Sequence, residues 1–135
     1  MKYLLARPNI RRITPSDYRT IDAWYDKRNR DMPDPKTFSD MGYMADGRVA
    51  GWLYVTNSNM AMIEGIIADP DTVPSLRKAS LEKLCGFLVD TAVALGYTHI
   101  FGITEHPSIE KVCYKLGFQE AKGFRVFVLN EPEDG

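Results

Sequence analysis

Residues 60–96 read MAMIEGIIADPDTVPSLRKASLEKLCGFLVDTAVALG, and this stretch decides the fold. Met60 to Ala68 is a long apolar run that stops at Asp69-Pro70, a pair that ends a strand and opens a turn. After a loop over Asp71 to Ser75, the residues Leu81, Leu84, Cys85, Leu88, Ala92 and Leu95 recur at helical spacing. Gly96 stands where a helix places its left-handed terminating residue. The pattern predicts a long strand, a short loop and a long helix.

Upstream, Gly42 to Ala45 and Arg48 to Val55 flank Asp46-Gly47, a strong hairpin signal. Thr56 to Asn59 is the next turn, so Met60 to Ala68 is the third member of an antiparallel meander. Asn9 to Ile13 reads as a first strand. Thr14-Pro15-Ser16-Asp17 then opens a helix: Thr14 suits the N-cap, Pro15 the first helical position, and Asp17 can close a capping box. Tyr18, Ile21, Trp24, Tyr25 and Arg28 follow at helical spacing and form a core stripe. Asn29 to Asp40 is a loop with a helical turn near Lys36 to Asp40. Trp52 and Tyr54 form one aromatic face that suits core, partner or substrate equally.

Downstream, Thr98 to Thr104 reads as a buried strand. Pro107 or Ser108 opens a last helix with Ile109, Val112, Cys113 and Leu116 on one face, and Gly117 stops it. Phe124 to Leu129 alternates around Arg125 and closes the chain as a strand. The fold class is α/β: a single domain over 1–130 with a mixed, mostly antiparallel sheet flanked by helices. Residues 131–135 form an acidic tail.

Composition narrows the function classes. A 135-residue chain with 44% hydrophobic and 26% charged residues is one soluble globular domain. A formal net charge of −1 argues against bulk attraction to nucleic acid or an anionic membrane. Two cysteines exclude a disulfide framework and fit a reducing cytosol, and two histidines with them give no zinc spacing. The opening residues lack the apolar core of a leader, so a cytoplasmic location is expected.

Nucleophile-elbow, phosphate-loop and dinucleotide-binding motifs are absent. His99 reads as structural, and His106 falls at a strand-to-helix corner. Arg77 and Lys78 near the start of the long helix place cations at its positive dipole end. A bound anion would reverse that cost; extension into water would make it small. Glu64 lies among Met62, Ile63, Ile66 and Ile67. If buried there it would suit a general base, and if turned outward it would meet solvent or an arginine.

Three ordered regions resemble the GNAT acetyltransferase superfamily. Ile10 to Asp17 is similar to its opening strand and helix cap. Glu64 to Pro70, followed by Arg77 and the long helix, resembles its central strand and cofactor helix. Ile109 to Phe118, ending Lys115-Leu116-Gly117-Phe118, resembles its final helix. The resemblance implies transfer of an acetyl group from acetyl-CoA to an amine of a small molecule or protein. It puts the cofactor diphosphate at Arg77, Lys78, Ala79, Ser80 and Leu81. Ser80 there replaces a family glycine, and Glu82 stands where a tiny residue belongs. The thioester falls to backbone donors around Ile66, Ile67 and Ala68, and His106 falls on a family asparagine. Cys113 aligns with the family's general-acid tyrosine and Tyr114 lies one position later. Glu64 is the implied base, with Asp31 and Asp34 near the amine's path. The region after Phe118 is shorter than the family's two strands.

The replacements at 80 and 82 and the short C-terminus keep a second reading open: a catalytically degenerate binding or structural module, similar to some phage accessory proteins. A third keeps CoA binding without turnover. No metal, nucleic acid or membrane partner is expected, and the chain is a monomer or homodimer.

Overall fold

Four antiparallel strands and one parallel strand make the sheet, in the order β1-β2-β3-β4-β5. The computed structural model describes residues 2–5, 9–104 and 106–130. The elements are α1 (Lys2–Leu5), β1 (Ile10–Arg12), α2 (Tyr18–Lys27), β2 (Gly42–Ala45), β3 (Val49–Val55), β4 (Met60–Ala68), α3 (Pro74–Ala94), β5 (His99–Gly102) and α4 (Pro107–Lys115). The acidic tail at 131–135 lies outside the described residues.

The local signals act as their chemistry requires. Asp46 and Gly47 both take positive φ, at 56° and 67°, and turn β2 into β3. The Asp17 carboxylate accepts from the Thr14 N–H at 2.8 Å and from both Arg11 guanidinium nitrogens at 2.8 Å. Those bonds, the Arg11 pair first, hold the Asp17 carboxyl down at about 2. Gly96 and Gly117 terminate α3 and α4 with φ of 96° and 94°.

Two apolar layers sandwich the sheet. On one face α2 buries Ile21, Trp24 and Tyr25 against Met44, Ala50, Trp52 and Ile67. Phe38 stacks on Trp52 at 4.2 Å. On the other, α3 buries Leu81, Leu84, Cys85, Phe87, Leu88 and Ala92 against β2, β3 and β4, with α4 beside it. Each fully buried leucine there contributes roughly 1.5–3 kcal/mol.

Five expectations change. The final strand does not form: Phe124 to Leu129 is irregular and highly exposed. With no strand outside it, β5 is an edge of four residues with Phe101 half exposed, not a buried strand over Thr98 to Thr104. The long helix starts at Pro74, inside the expected loop, because a proline at the first helical position has no N–H to leave unpaired. Leu95 is 54% exposed because it caps α3 beyond the sheet. An unforeseen helix, α1, lies across α3. The Tyr3 ring sits where a Cβ on Gly86 would be, and its N–H donates to Asp90 at 2.9 Å.

Candidate functional site

A bulge in β4 organises the site. Trp52 pairs with Glu64 and Ala50 with Ile67, so Gly65 and Ile66 together oppose Gly51. The extra residue flips the strand's facing. Ala61 and Ile63 face α3, as do Ile66 and Ala68 after the bulge, while Ile67 faces α2. Gly65 takes φ of +76°, and a Cβ there would lie 2.9 Å from the Trp52 ring. Glycine is therefore required both by conformation and by space.

The bulge leaves Glu64 half-buried on the α2 side, opposite Trp52 and within electrostatic reach of Tyr25 and Tyr54. Burial raises both phenols, and the Glu64 charge raises them further. No arginine pairs with Glu64 among the described residues.

Just below, β4 and β5 part. Their parallel pairing ends at Ile63 with Gly102, while β4 runs on to Ala68. Along Glu64 to Ala68 the β5-facing edge has no strand partner among the described residues. The cleft at the divergence is a cavity of about 30 Å³, lined by Ile63, Ile66, Cys85, Ile103, Ile109 and Cys113 among others. That volume holds one or two waters. Burial pushes the Cys85 thiol up to about 12 and raises that of Cys113.

The N-terminus of α3 lies past the end of β4. Its leading N–H donors are those of Ser75 and Leu76, since Arg77 N–H already bonds the Val73 carbonyl at 3.0 Å. Arg77, the fourth helical residue, reaches back to the Pro70 and Thr72 carbonyls at 3.3 and 3.4 Å. A cation that the sequence reading placed only in a core stripe joins it. Arg28, at the end of α2, donates to the Ala68 carbonyl at 3.0 Å, and its Nε is buried with no partner among the described residues. Burial depresses the Arg28 guanidinium, and repulsion from Arg77 and Arg30 adds to it, with Asp69 opposing. Its signal was the final position of the Tyr18–Arg28 stripe, read only as core.

The motif residues separate. Lys78 and Ala79 are exposed. Ser80 is 1% exposed and donates to Asp46 at 2.7 Å, and Leu81 is core. Burial works to raise the Asp46 carboxyl, but Lys83 at 2.9 Å and Ser80 outweigh it and the net shift is downward. Glu82 turns toward α1 and α4, accepting from Lys115 and from the Tyr3 hydroxyl, each at 2.9 Å; the Lys115 bond holds its carboxyl low.

On α4, Cys113 faces the cavity, whereas Tyr114 is exposed and donates to Glu120 at 3.1 Å, a bond that raises its phenol. His106 caps α4, its Nδ1 accepting from the Ser108 N–H at 3.2 Å. Asp31 is exposed, and Asp34 accepts from the Lys36 N–H at 3.0 Å. Among the described residues no three His, Cys, Asp or Glu gather to hold a metal, and no helix is long and apolar enough to cross a membrane.

Solved structures share this architecture. A point mutant of TTHA1254 from Thermus thermophilus matches with a TM-score of 0.68 at 15% identity, over 93% of this chain and 100% of that one. Rv2747 from Mycobacterium tuberculosis, in complex with CoA and NLQ, matches with a TM-score of 0.60 at 20% identity, over 89% and 76%. The aminoglycoside N-acetyltransferase AAC(6')-Iy, in complex with CoA, matches with a TM-score of 0.57 at 19% identity, over 91% and 98%. The fold is a GNAT-like α/β fold. No family model and no curated protein matches by sequence.

Proposed function

We propose that the chain is an acetyl-CoA-dependent N-acetyltransferase acting on an amine. The observation that carries this reading is the mutual repulsion of Arg28 and Arg77 beside the α3 N-terminus, past the end of β4. Like charges with an orphaned buried Nε are relieved by a bound polyanion, and a diphosphate fits them. The Ser75 and Leu76 N–H groups, Arg77 and Arg28 would hold it, with Lys78 on the exposed side. Glu82 does not oppose it, because Lys115 and Tyr3 already occupy its oxygens.

Acetyl-CoA would supply an activated acyl thioester: an amine N–C bond would form as the C–S bond breaks, and the CoA thiolate would leave and take a proton from solvent. The chain's own residues do little covalent work. Glu64 takes a proton from the substrate ammonium, which frees the amine lone pair for attack. The unpartnered N–H groups along β4 from Glu64 to Ala68 orient the acetyl oxygen and stabilise its developing charge. Cys113 borders the cleft as packing.

Calorimetric titration with acetyl-CoA tests the reading. Saturable binding is expected, with Arg77→Ala and Arg28→Ala each weakening it about tenfold, the loss of one charge-assisted contact. Glu64→Gln should keep the affinity and lose turnover against a panel of amines. Absence of saturable binding at millimolar cofactor overturns the reading and leaves the degenerate module. Binding without turnover on any amine leaves a CoA-binding protein.

A further inference from the structure

The end of α2 fixes one side chain in place. Asn29 takes φ of 55°, its N–H donates to the Asp26 carbonyl, and the Arg30 N–H donates to the Tyr25 carbonyl, both at 3.0 Å. This is the left-handed helix stop, in which the second residue past the cap folds back over the last turn and commonly seats an apolar side chain there. Here that residue is Arg30. Its guanidinium lies over the Tyr25 ring, 5.7 Å from the centroid. Arg30 is exposed and makes no ion pair among the described residues, not even with the neighbouring Asp31.

Tyr25 is also within reach of Glu64. Its ring packs in one cluster with Trp52, the residue opposite Glu64 on β3. Burial raises the Tyr25 phenol, Arg30 pulls it down and Glu64 adds to the rise. One phenol therefore feels a fixed cation and a fixed anion, and the two are not paired with each other among the described residues.

We propose that the acceptor amine carries a carboxylate: its ammonium docks at Glu64 and its carboxylate on the Arg30 guanidinium, across the Tyr25 ring. The proposal rests on the transferase reading and names the substrate class of that same site.

Charge complementarity selects this class. An amino carboxylate gains two charge-assisted contacts in one binding event, and the second contact is intramolecular. A guanidinium already held over a ring keeps its N–H edge for a bidentate carboxylate. A polycationic acceptor fits worse, because its further charges would meet Arg28, Arg30 and Arg77. Those three already repel one another: the Arg28 guanidinium is lowered by burial first, then by Arg77 and Arg30.

Calorimetric titration at neutral pH tests the proposal, with a panel of α-amino acids and of straight-chain amino carboxylates from β-alanine to aminohexanoate, each beside its carboxamide. At least one carboxylate should bind saturably, and about fivefold or more tighter than its amide, the value of a solvent-screened charge pair. Acetyl transfer should show the same ratio in KM, with kcat little changed. Arg30→Gln should remove the ratio by raising KM for the carboxylate alone, leaving KM for acetyl-CoA and the thermal melt as they are. Arg19 is an exposed arginine at the start of α2, so Arg19→Gln removes the same charge and should leave the ratio unchanged.

Equal binding of acid and amide overturns the proposal. So does a ratio that persists in Arg30→Gln or falls as far in Arg19→Gln, and so does a panel in which no carboxylate binds. The acetyl-CoA titration is read separately. Cofactor binding without an acid-over-amide ratio leaves the transferase reading standing and removes this substrate class. A ratio lost in Arg30→Gln without cofactor binding supports the amino-carboxylate site and removes the transferase reading.

Discussion

Ser80→Gly introduces the residue that the GNAT resemblance expects at this position, so the resemblance taken alone would have it improve the protein. The structure reverses the sign. Ser80 is 1% exposed and its hydroxyl donates to Asp46 at 2.7 Å, tying α3 to the β2–β3 turn. A partly buried hydrogen bond to a charged partner contributes about 1.5–3 kcal/mol. Glycine within a helix costs about a further 0.5 kcal/mol relative to serine. The substitution should therefore destabilise the domain by about 2–3.5 kcal/mol, a fall in Tm on the order of 10 °C for a chain of this size. Urea unfolding followed by the fluorescence of the buried Trp24 and Trp52 reads it directly. Ser80→Ala separates the terms, losing the bond but not helix propensity. If Ser80→Gly unfolds within about 0.5 kcal/mol of wild type, the Asp46 bond carries no stability and the argument fails.

Asp17→Asn should flatten acid sensitivity. The folded carboxyl sits near 2, below its unfolded value, so its contribution is complete above about 4 and disappears as pH falls toward 2. Stability measured against pH should slope less steeply in that window for the variant. Gly65→Ala must adopt φ of +76° with its Cβ 2.9 Å from Trp52, a cost of about 1–3 kcal/mol, and should shift the Trp52 emission as the bulge rearranges. In native protein, a thiol reagent should modify Cys113 well before Cys85, whose buried thiol is pushed up to about 12; mapping the modified peptide by mass spectrometry checks the order.

The strands of the meander, both helix-terminating glycines and the Thr14–Asp17 cap were legible because each rests on contacts within a few residues. Met60 to Ala68 was legible to its ends for the same reason. Helix α1 was not, since four residues make no helix signal and Tyr3 is placed by Gly86, more than eighty positions away. The strand pattern at Phe124 to Leu129 was read as a strand, but pattern specifies only willingness to pair. Pairing needs an edge within reach.

At the site, Glu64 and Arg77 were visible as residues at odds with their surroundings, and both stand where β4 and α3 place them. Ser80 and Glu82 were read only as departures from a motif, because their partners, Asp46, Lys115 and Tyr3, come from other elements. Arg28 carried no signal beyond its stripe.

The amino-acid sequence by itself determined the α/β layering, the meander and the long crossover helix, since periodicity and turn chemistry act at short range. Only the tertiary structure decided the bulge at Gly65, the parting of β4 from β5 and the crowding of Arg28 with Arg77. Those depend on register between strands and on which side chains meet across the sheet. They are long-range quantities, set when the whole core packs.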